Sequence, residues 1–262
     1  MKLQLVGGGR MGEALLAGLL SAGWATADDL GVVEKLPDRR DALARQFPGV
    51  TVGSEPEKAD GVVIAVKPDD VEAACTSIAS AGCGRALSIA AGVTLARLER
   101  ALGSDIPVVR AMPNTPALVG AGAAAIAPGT TATDVDLEWA QSILSAVGTV
   151  VRVPERLLDA VTGLSGSGPA YVFLVVEALV DAGVLAGLPR DVSVTLTHQT
   201  LLGAARLLTE TGDGPEALRA AVTSPGGTTA AGIRALESAG VRAAFLDAVM
   251  AATARSKELG AG

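Results

Sequence analysis

The sequence predicts an α/β fold, with a mostly parallel sheet domain over residues 1–160 followed by an all-helical domain over 161–262. Two observations predict it. Up to Pro154, short apolar β-rich runs alternate with amphipathic helical runs, the pattern of a parallel sheet covered on both faces. Beyond residue 160 strand signals vanish, and Ala/Leu-rich segments with helical periodicity take over. A chain of 262 residues is long enough for two ordinary domains, since single cores stop growing near ~250–300 residues.

In chain order, Lys2–Val6 reads as a strand, Met11–Ala22 as a helix and Leu30–Val33 as a strand. Pro37–Gln46 reads as helical, Gly61–Val66 as a strand and Asp69–Ser80 as helical again. Ala86–Ile89 and Pro107–Ala111 are further strands, Asp134–Ala146 a helix, and Gly148–Val153 the last strand, closed by Pro154. The strands are apolar throughout rather than alternating, as buried parallel strands should be. The helical half consists of Ala170–Leu188, Arg190–Thr211, Pro215–Val222, Thr229–Ser238 and Arg242–Leu259. No repeat or low-complexity linker separates the two halves, so close packing is expected.

Composition narrows the function. The chain holds two Trp, one Tyr and three Phe, too few for platforms that stack single-stranded nucleic acid. A net charge of −7 also argues against a nucleic-acid partner, which needs clustered Lys and Arg. Cys75 and Cys83 give neither metal spacing nor a disulfide framework, so no metal site is expected and both read as idle thiols in a reducing compartment. The apolar start Leu3–Val6 is cut short by Gly7-Gly8-Gly9-Arg10, too early for a signal peptide. Ala170–Leu188 is the most membrane-like stretch, but it carries Glu177 and Asp181, and a mid-span Asp costs about 2.5–3.5 kcal/mol on insertion. It reads as a buried helix of a soluble domain or dimer, in a cytoplasmic protein without a membrane.

The first motif is Gly7-Gly8-Gly9-Arg10-Met11-Gly12, a G-x-G-x-x-G between a buried strand and a helix. Glycines there permit a tight turn and bring backbone N–H groups close to a pyrophosphate, as in the Rossmann dinucleotide fold. A Gly-rich turn without a ligand is the plain alternative. The second strand ends at Glu34, which can hydrogen-bond a ribose 2′-hydroxyl and favours NAD. Lys35, Arg39 and Arg40 follow and can hold a 2′-phosphate, which favours NADP, so the preference stays open. Ligands of such sheets lie outside the carboxyl ends of strands, so Ala65, Val66, Lys67 and Pro68 should border the dinucleotide. Ala90-Ala91-Gly92 and Arg110–Pro116 follow the same logic. Within the second of these, Asn114 is either the polar group near a nicotinamide or a turn residue between prolines.

In the helical half, Ser165-Gly166-Ser167-Gly168-Pro169 places Pro at a first helical position, so N–H groups and hydroxyls are expected to cluster at a helix start. Thr223-Ser224-Pro225-Gly226-Gly227-Thr228-Thr229 opens the next such helix. Two such starts can bind a small carboxylate without a basic residue, or can be plain caps. No lysine lies between Lys67 and Lys257, and His198, the one histidine, sits inside a predicted helix and reads as structural. An alcohol dehydrogenase needs a general acid/base, and here only Tyr171 is on offer. A protonated cyclic imine needs none, because its carbon is already electrophilic and only has to be held against a nicotinamide.

Thr223–Glu237 resembles the signature of the pyrroline-5-carboxylate reductases, and Ala65–Pro68, Arg110–Ala117 and Ser165–Tyr171 resemble three further blocks of that family. The resemblance implies reduction of 1-pyrroline-5-carboxylate to proline with NADPH or NADH, the last step of proline synthesis. It implies a Rossmann domain followed by a helical dimerisation domain, in a homodimer that can assemble into rings such as a decamer. It implies that Thr229 hydrogen-bonds the substrate ring nitrogen, and that Ser224, Gly227 and Thr228 bind the carboxylate with Ser165, Gly166, Ser167 and Gly168. Gly7, Gly9, Arg10, Met11 and Gly12 would hold the pyrophosphate. Ser54 stands where the family often has Asn, and Glu34 stands where members carry small or basic residues, which weakens a strong NADP preference. A 3-hydroxyacid dehydrogenase would need a lysine in the helical half, and a non-catalytic dinucleotide sensor would bind NADPH without a substrate-dependent oxidation.

Overall fold

The computed structural model describes residues 1–260. The elements in chain order are β1 (Leu3–Val6), α1 (Arg10–Ser21), β2 (Leu30–Val33), α2 (Pro37–Gln46), β3 (Thr51–Gly53), β4 (Val62–Ile64) and α3 (Val71–Ala81). Next come β5 (Ala86–Ser88), α4 (Leu95–Leu102), β6 (Val108–Met112), β7 (Gly122–Pro128), α5 (Asp134–Ser145), β8 (Gly148–Arg152) and α6 (Leu158–Val161). The rest is helical: α7 (Gly168–Leu185), α8 (Arg190–Glu210), α9 (Pro215–Ala221), α10 (Thr228–Ser238) and α11 (Val241–Gly260).

The strands form one sheet in the order β3-β2-β1-β4-β5-β6-β7-β8. From β3 to β6 every pairing is parallel, β7 runs antiparallel to β6, and β8 is parallel to β7. The order 3-2-1-4-5-6 is that of a dinucleotide-binding sheet, whose switch point lies between β1 and β4. Strand side chains alternate between two cores. Leu3, Leu5, Val63 and Leu87 pack with Leu15, Leu16 and Leu19 of α1, whereas Val6, Val62 and Ile64 pack with Cys75, Ile78 and Leu98. Each fully buried Leu contributes about 1.5–3 kcal/mol relative to exposure. This double burial is why the strands read as unbroken apolar runs.

Four elements lie outside those expected from sequence, one of them the short helix α6. Strand β7 is Gly-Ala-Ala-Ala-Ile-Ala-Pro, mostly alanine with little strand preference of its own, and is fixed by its neighbours β6 and β8. Strand β3 has only three residues. Helix α4 did carry a signal: Thr94 accepts a hydrogen bond from Arg97 N–H at its start, and Leu95, Leu98 and Leu102 are its buried stripe. A further difference concerns Ser165–Gly168. Thr162–Gly166 is a single π-helical turn, closed by Ser167 N–H donating to the Thr162 carbonyl at 2.8 Å, and helical backbone already precedes Pro169. The expected bare helix start is therefore a widened turn within helical backbone, a form of irregularity common at functional positions.

The chain divides into two compact units, Met1–Ser167 with the residues from Met250 on, and Gly168–Val249. In the second unit, α7 and α8 pack closely because Gly183 has no side chain: a Cβ there would stand 2.2 Å from Ser193 Oγ. That hydroxyl donates to the Val180 carbonyl at 2.8 Å. Little else in this unit is buried. Phe173, Leu174 and Leu185 are 60%, 66% and 91% exposed in the single chain, so α7 is not the helix buried within its own domain that the sequence allowed. By length and composition alone, Glu155–Leu185 is apolar enough to cross a membrane, the one such stretch among the described residues, though Glu177 and Asp181 fall within it.

Candidate active site

Three of the four glycines in the first motif do three separate jobs. Gly7 has φ +114°, which favours glycine, and a Cβ there would lie 2.6 Å from the Ala65 carbonyl oxygen. A Cβ on Gly12 would lie 2.2 Å from the Gly7 oxygen, so its absence lets α1 sit against the strand end. Gly9 faces open space, with nothing within 4 Å of a Cβ, and caps α1 in extended conformation without any side-chain bond. The first bond of the helix is Glu13 N–H to the Gly9 oxygen at 2.9 Å, so the amides of Arg10, Met11 and Gly12 point out of the helix start. A tight turn, an open approach and a close helix are what a pyrophosphate cradle needs, and the residues present fit a dinucleotide.

Beside this cradle, Glu34 at the carboxyl end of β2 accepts Gly8 N–H at 3.2 Å and Leu36 N–H at 3.0 Å. Arg39 donates to the Gly8 carbonyl at 2.8 Å and pairs with Glu13. The Arg39 hydrogen bond, then that of Gln46, holds the Glu13 carboxyl below its ordinary range. Arg40 donates to the carbonyls of Glu34 and Lys35 at 2.9 and 2.8 Å. Lys35, Ser54, Lys67 and Pro68 are exposed just past the carboxyl ends of β2, β3 and β4.

At the switch point a cleft of about 290 Å³ opens between Met11, Ala65 and Val66 on one side, and Ile89, Ala90, Ala91, Met112, Pro113, Thr115 and Gly166 on the other. It contains no titratable side chain. Met112, Pro113 and Thr115 fall within the Arg110–Pro116 stretch expected from sequence, and Ile89 joins them at the carboxyl end of β5. Gly166 belongs here because a Cβ on it would stand 2.7 Å from Met112 Cε. Asn114, expected near a nicotinamide, is not among the lining residues. Its amide donates to the Ser165 carbonyl at 3.0 Å and accepts Ala123 N–H at 2.8 Å, so it pins the π turn to the loop after β6. Ser165 Oγ donates back to the Val161 carbonyl at 3.1 Å. A larger hollow of about 390 Å³ near Glu99, Gly103 and Thr130 lies at the amino end of β6, away from this chemistry.

In the second unit, Gly227 N–H donates to the Ser224 carbonyl at 3.0 Å across Pro225 and Gly226, with Gly226 at φ +71°, the pattern of a type II turn. Gly227 then caps α10 without a side-chain bond, and the first bond of the helix is Ala231 N–H to the Gly227 oxygen at 3.2 Å. The amides of Thr228, Thr229 and Ala230 therefore precede the first intrahelical bond. This start favours an anion without any basic side chain. Tyr171 Oη donates to the Ala248 carbonyl at 3.5 Å, and His198 is exposed on α8. Burial pushes the Cys75 thiol up to about 12 and the Cys83 thiol upward, so neither is a ready nucleophile.

A family model described as pyrroline-5-carboxylate reductase dimerisation matches residues 155–259. One described as NADP oxidoreductase coenzyme F420-dependent matches residues 2–92. The pyrroline-5-carboxylate reductase of Methanosarcina acetivorans is 46% identical over 99% of this chain and 98% of its own. A solved pyrroline-5-carboxylate reductase from Coxiella burnetii superimposes with a TM-score of 0.92 at 38% identity, covering 98% of each chain. The Plasmodium falciparum pyrroline carboxylate reductase with NADP bound gives 0.84 at 30% identity, over 99% of this chain and 98% of that one. With a dinucleotide cradle, an uncharged cleft and full-length similarity in agreement, the chain belongs to the pyrroline-5-carboxylate reductase family.

Proposed function

We propose that the chain reduces 1-pyrroline-5-carboxylate to L-proline with NAD(P)H, the last step of proline biosynthesis. One observation carries the reading: the cleft at the switch point is lined by no acidic or basic side chain. Such a site suits a substrate whose C=N carbon is electrophilic before it binds. When bound, the dihydronicotinamide supplies the hydride that this carbon takes up. The chain's own residues hold and orient. Gly7, Gly9, Arg10, Met11 and Gly12 cradle the pyrophosphate, Glu34, Lys35 and Ser54 border the adenosine ribose, and Ala65, Val66, Lys67 and Pro68 wall the dinucleotide. Asn114 serves the cofactor end indirectly, by fixing the loop beside it.

Thr229 orients the ring nitrogen, and Ser224, Gly227 and Thr228, with Ser165, Gly166, Ser167 and Gly168, take the carboxylate. The functional division is residues 1–160 for the dinucleotide and 161–262 for substrate and dimerisation. A homodimer formed through the helical half, and a ring of dimers such as a decamer beyond it, would cover its exposed apolar side chains. The setting is cytoplasmic, without membrane or nucleic acid. The test is a spectrophotometric assay of dinucleotide oxidation with 1-pyrroline-5-carboxylate and a chiral analysis of product. L-Proline formed in step with oxidation supports the reading, and binding without imine-dependent oxidation overturns it.

A further inference from the structure

We infer that Glu34 makes this chain select NADH over NADPH, an inference that rests on the reductase reading only for its kinetic readout. The sequence alone leaves the choice open, because an acidic residue and three bases stand together after β2. The structure shows how each is used. Both carboxylate oxygens of Glu34 are fixed by backbone amides, Gly8 N–H at 3.2 Å and Leu36 N–H at 3.0 Å. A carboxylate therefore already occupies both amides at this turn. A ribose 2′-hydroxyl can donate to that carboxylate, whereas a 2′-phosphate meets it as like charge.

The bases do not offset this. Arg39 is paired with Glu13 and hydrogen-bonded to the Gly8 carbonyl at 2.8 Å. Lys35 faces Asp70 at 3.5 Å. Arg40 is turned back onto the carbonyls of Glu34 and Lys35, at 2.9 and 2.8 Å. Gathering a phosphate here would require breaking bonds on at least one of them and displacing Glu34 as well. The turn is therefore preorganised for a hydroxyl.

The experiment compares NADH and NADPH in two ways on the full-length protein: Kd by nicotinamide fluorescence without substrate, and kcat/KM with 1-pyrroline-5-carboxylate. The wild type should favour NADH by about tenfold in both measures, a factor within reach of one close charge repulsion. Glu34→Ser and Glu34→Gln should each move the ratio toward NADPH by about the same factor. Equal or tighter binding of NADPH by the wild type overturns the inference, whatever the variants do. A ratio unmoved by either substitution overturns the role of Glu34. If neither dinucleotide is oxidised with the imine, the reductase reading fails, while the binding ratio still decides this one.

Discussion

The side-chain amide of Asn114 reaches the Ser165 carbonyl at 3.0 Å and the Ala123 N–H at 2.8 Å, joining the loop after β6, the π turn and β7 through one residue. An aspartate there keeps the acceptor and loses the donor, placing an oxygen against the Ser165 carbonyl. Losing a part-buried bond of this kind costs about 1–3 kcal/mol. Asn114→Asp should lower kcat/KM for the imine more than it weakens dinucleotide binding. Activity should recover as pH falls and the carboxyl regains a proton to donate. Asn114→Ala should show no such recovery, and parallel pH profiles for the two variants would remove Asn114 from its positioning role. Thr229 presents a different case, since its proposed partner is the substrate. Thr229→Val should depress turnover about 10- to 100-fold, the worth of a hydrogen bond to a charged group, with dinucleotide Kd little changed. Unaltered turnover would take Thr229 out of the mechanism. The glycines were legible as residues because their motif states a backbone need; the target of Asn114 was not, because its partners lie 9 and 51 positions away.

Helices α1 and α2 meet through Glu13 and Arg39, with Gln46 donating to Glu13 at 2.7 Å. The Glu13 carboxyl is held below its ordinary range chiefly by the Arg39 hydrogen bond. A depressed carboxylate stabilises the fold above its unfolded value, and that stabilisation is lost as pH falls through the folded one. Glu13→Gln should therefore destabilise the protein by about 0.3–1 kcal/mol at neutral pH in urea unfolding, with the difference from wild type shrinking at an acid pH below the ordinary carboxylate range. A gap of equal size at both pH values would contradict the pair's contribution. Most elements were readable because each has its own apolar period. Strand β7 was not: its alanines fit helix or strand, and only pairing with β6 and β8 decides between them. The π turn was equally hidden, since its Gly and Ser residues describe a loop or cap as readily as a widened helix.

Across the whole chain, the dinucleotide unit carries nearly all the buried apolar side chains, while Gly168–Val249 leaves Phe173, Leu174, Leu196, Leu246 and others exposed. An apolar face of this extent belongs against another surface, and the dimerisation family model covers this region. Phe173→Glu with Leu174→Glu should shift the protein from dimer toward monomer in sedimentation velocity, each lost burial removing about 1.5–3 kcal/mol per protomer. An unchanged sedimentation coefficient would place the interface elsewhere. The proposed reduction needs an uncharged pocket whose backbone amides hold the acid group of a cyclic imine. The most direct test is a crystal structure with L-proline bound. The carboxylate should rest on the amides at the start of α10, with the ring nitrogen at Thr229 Oγ1. Proline lodged away from Ser224–Thr229 and Ser165–Gly168 would contradict it.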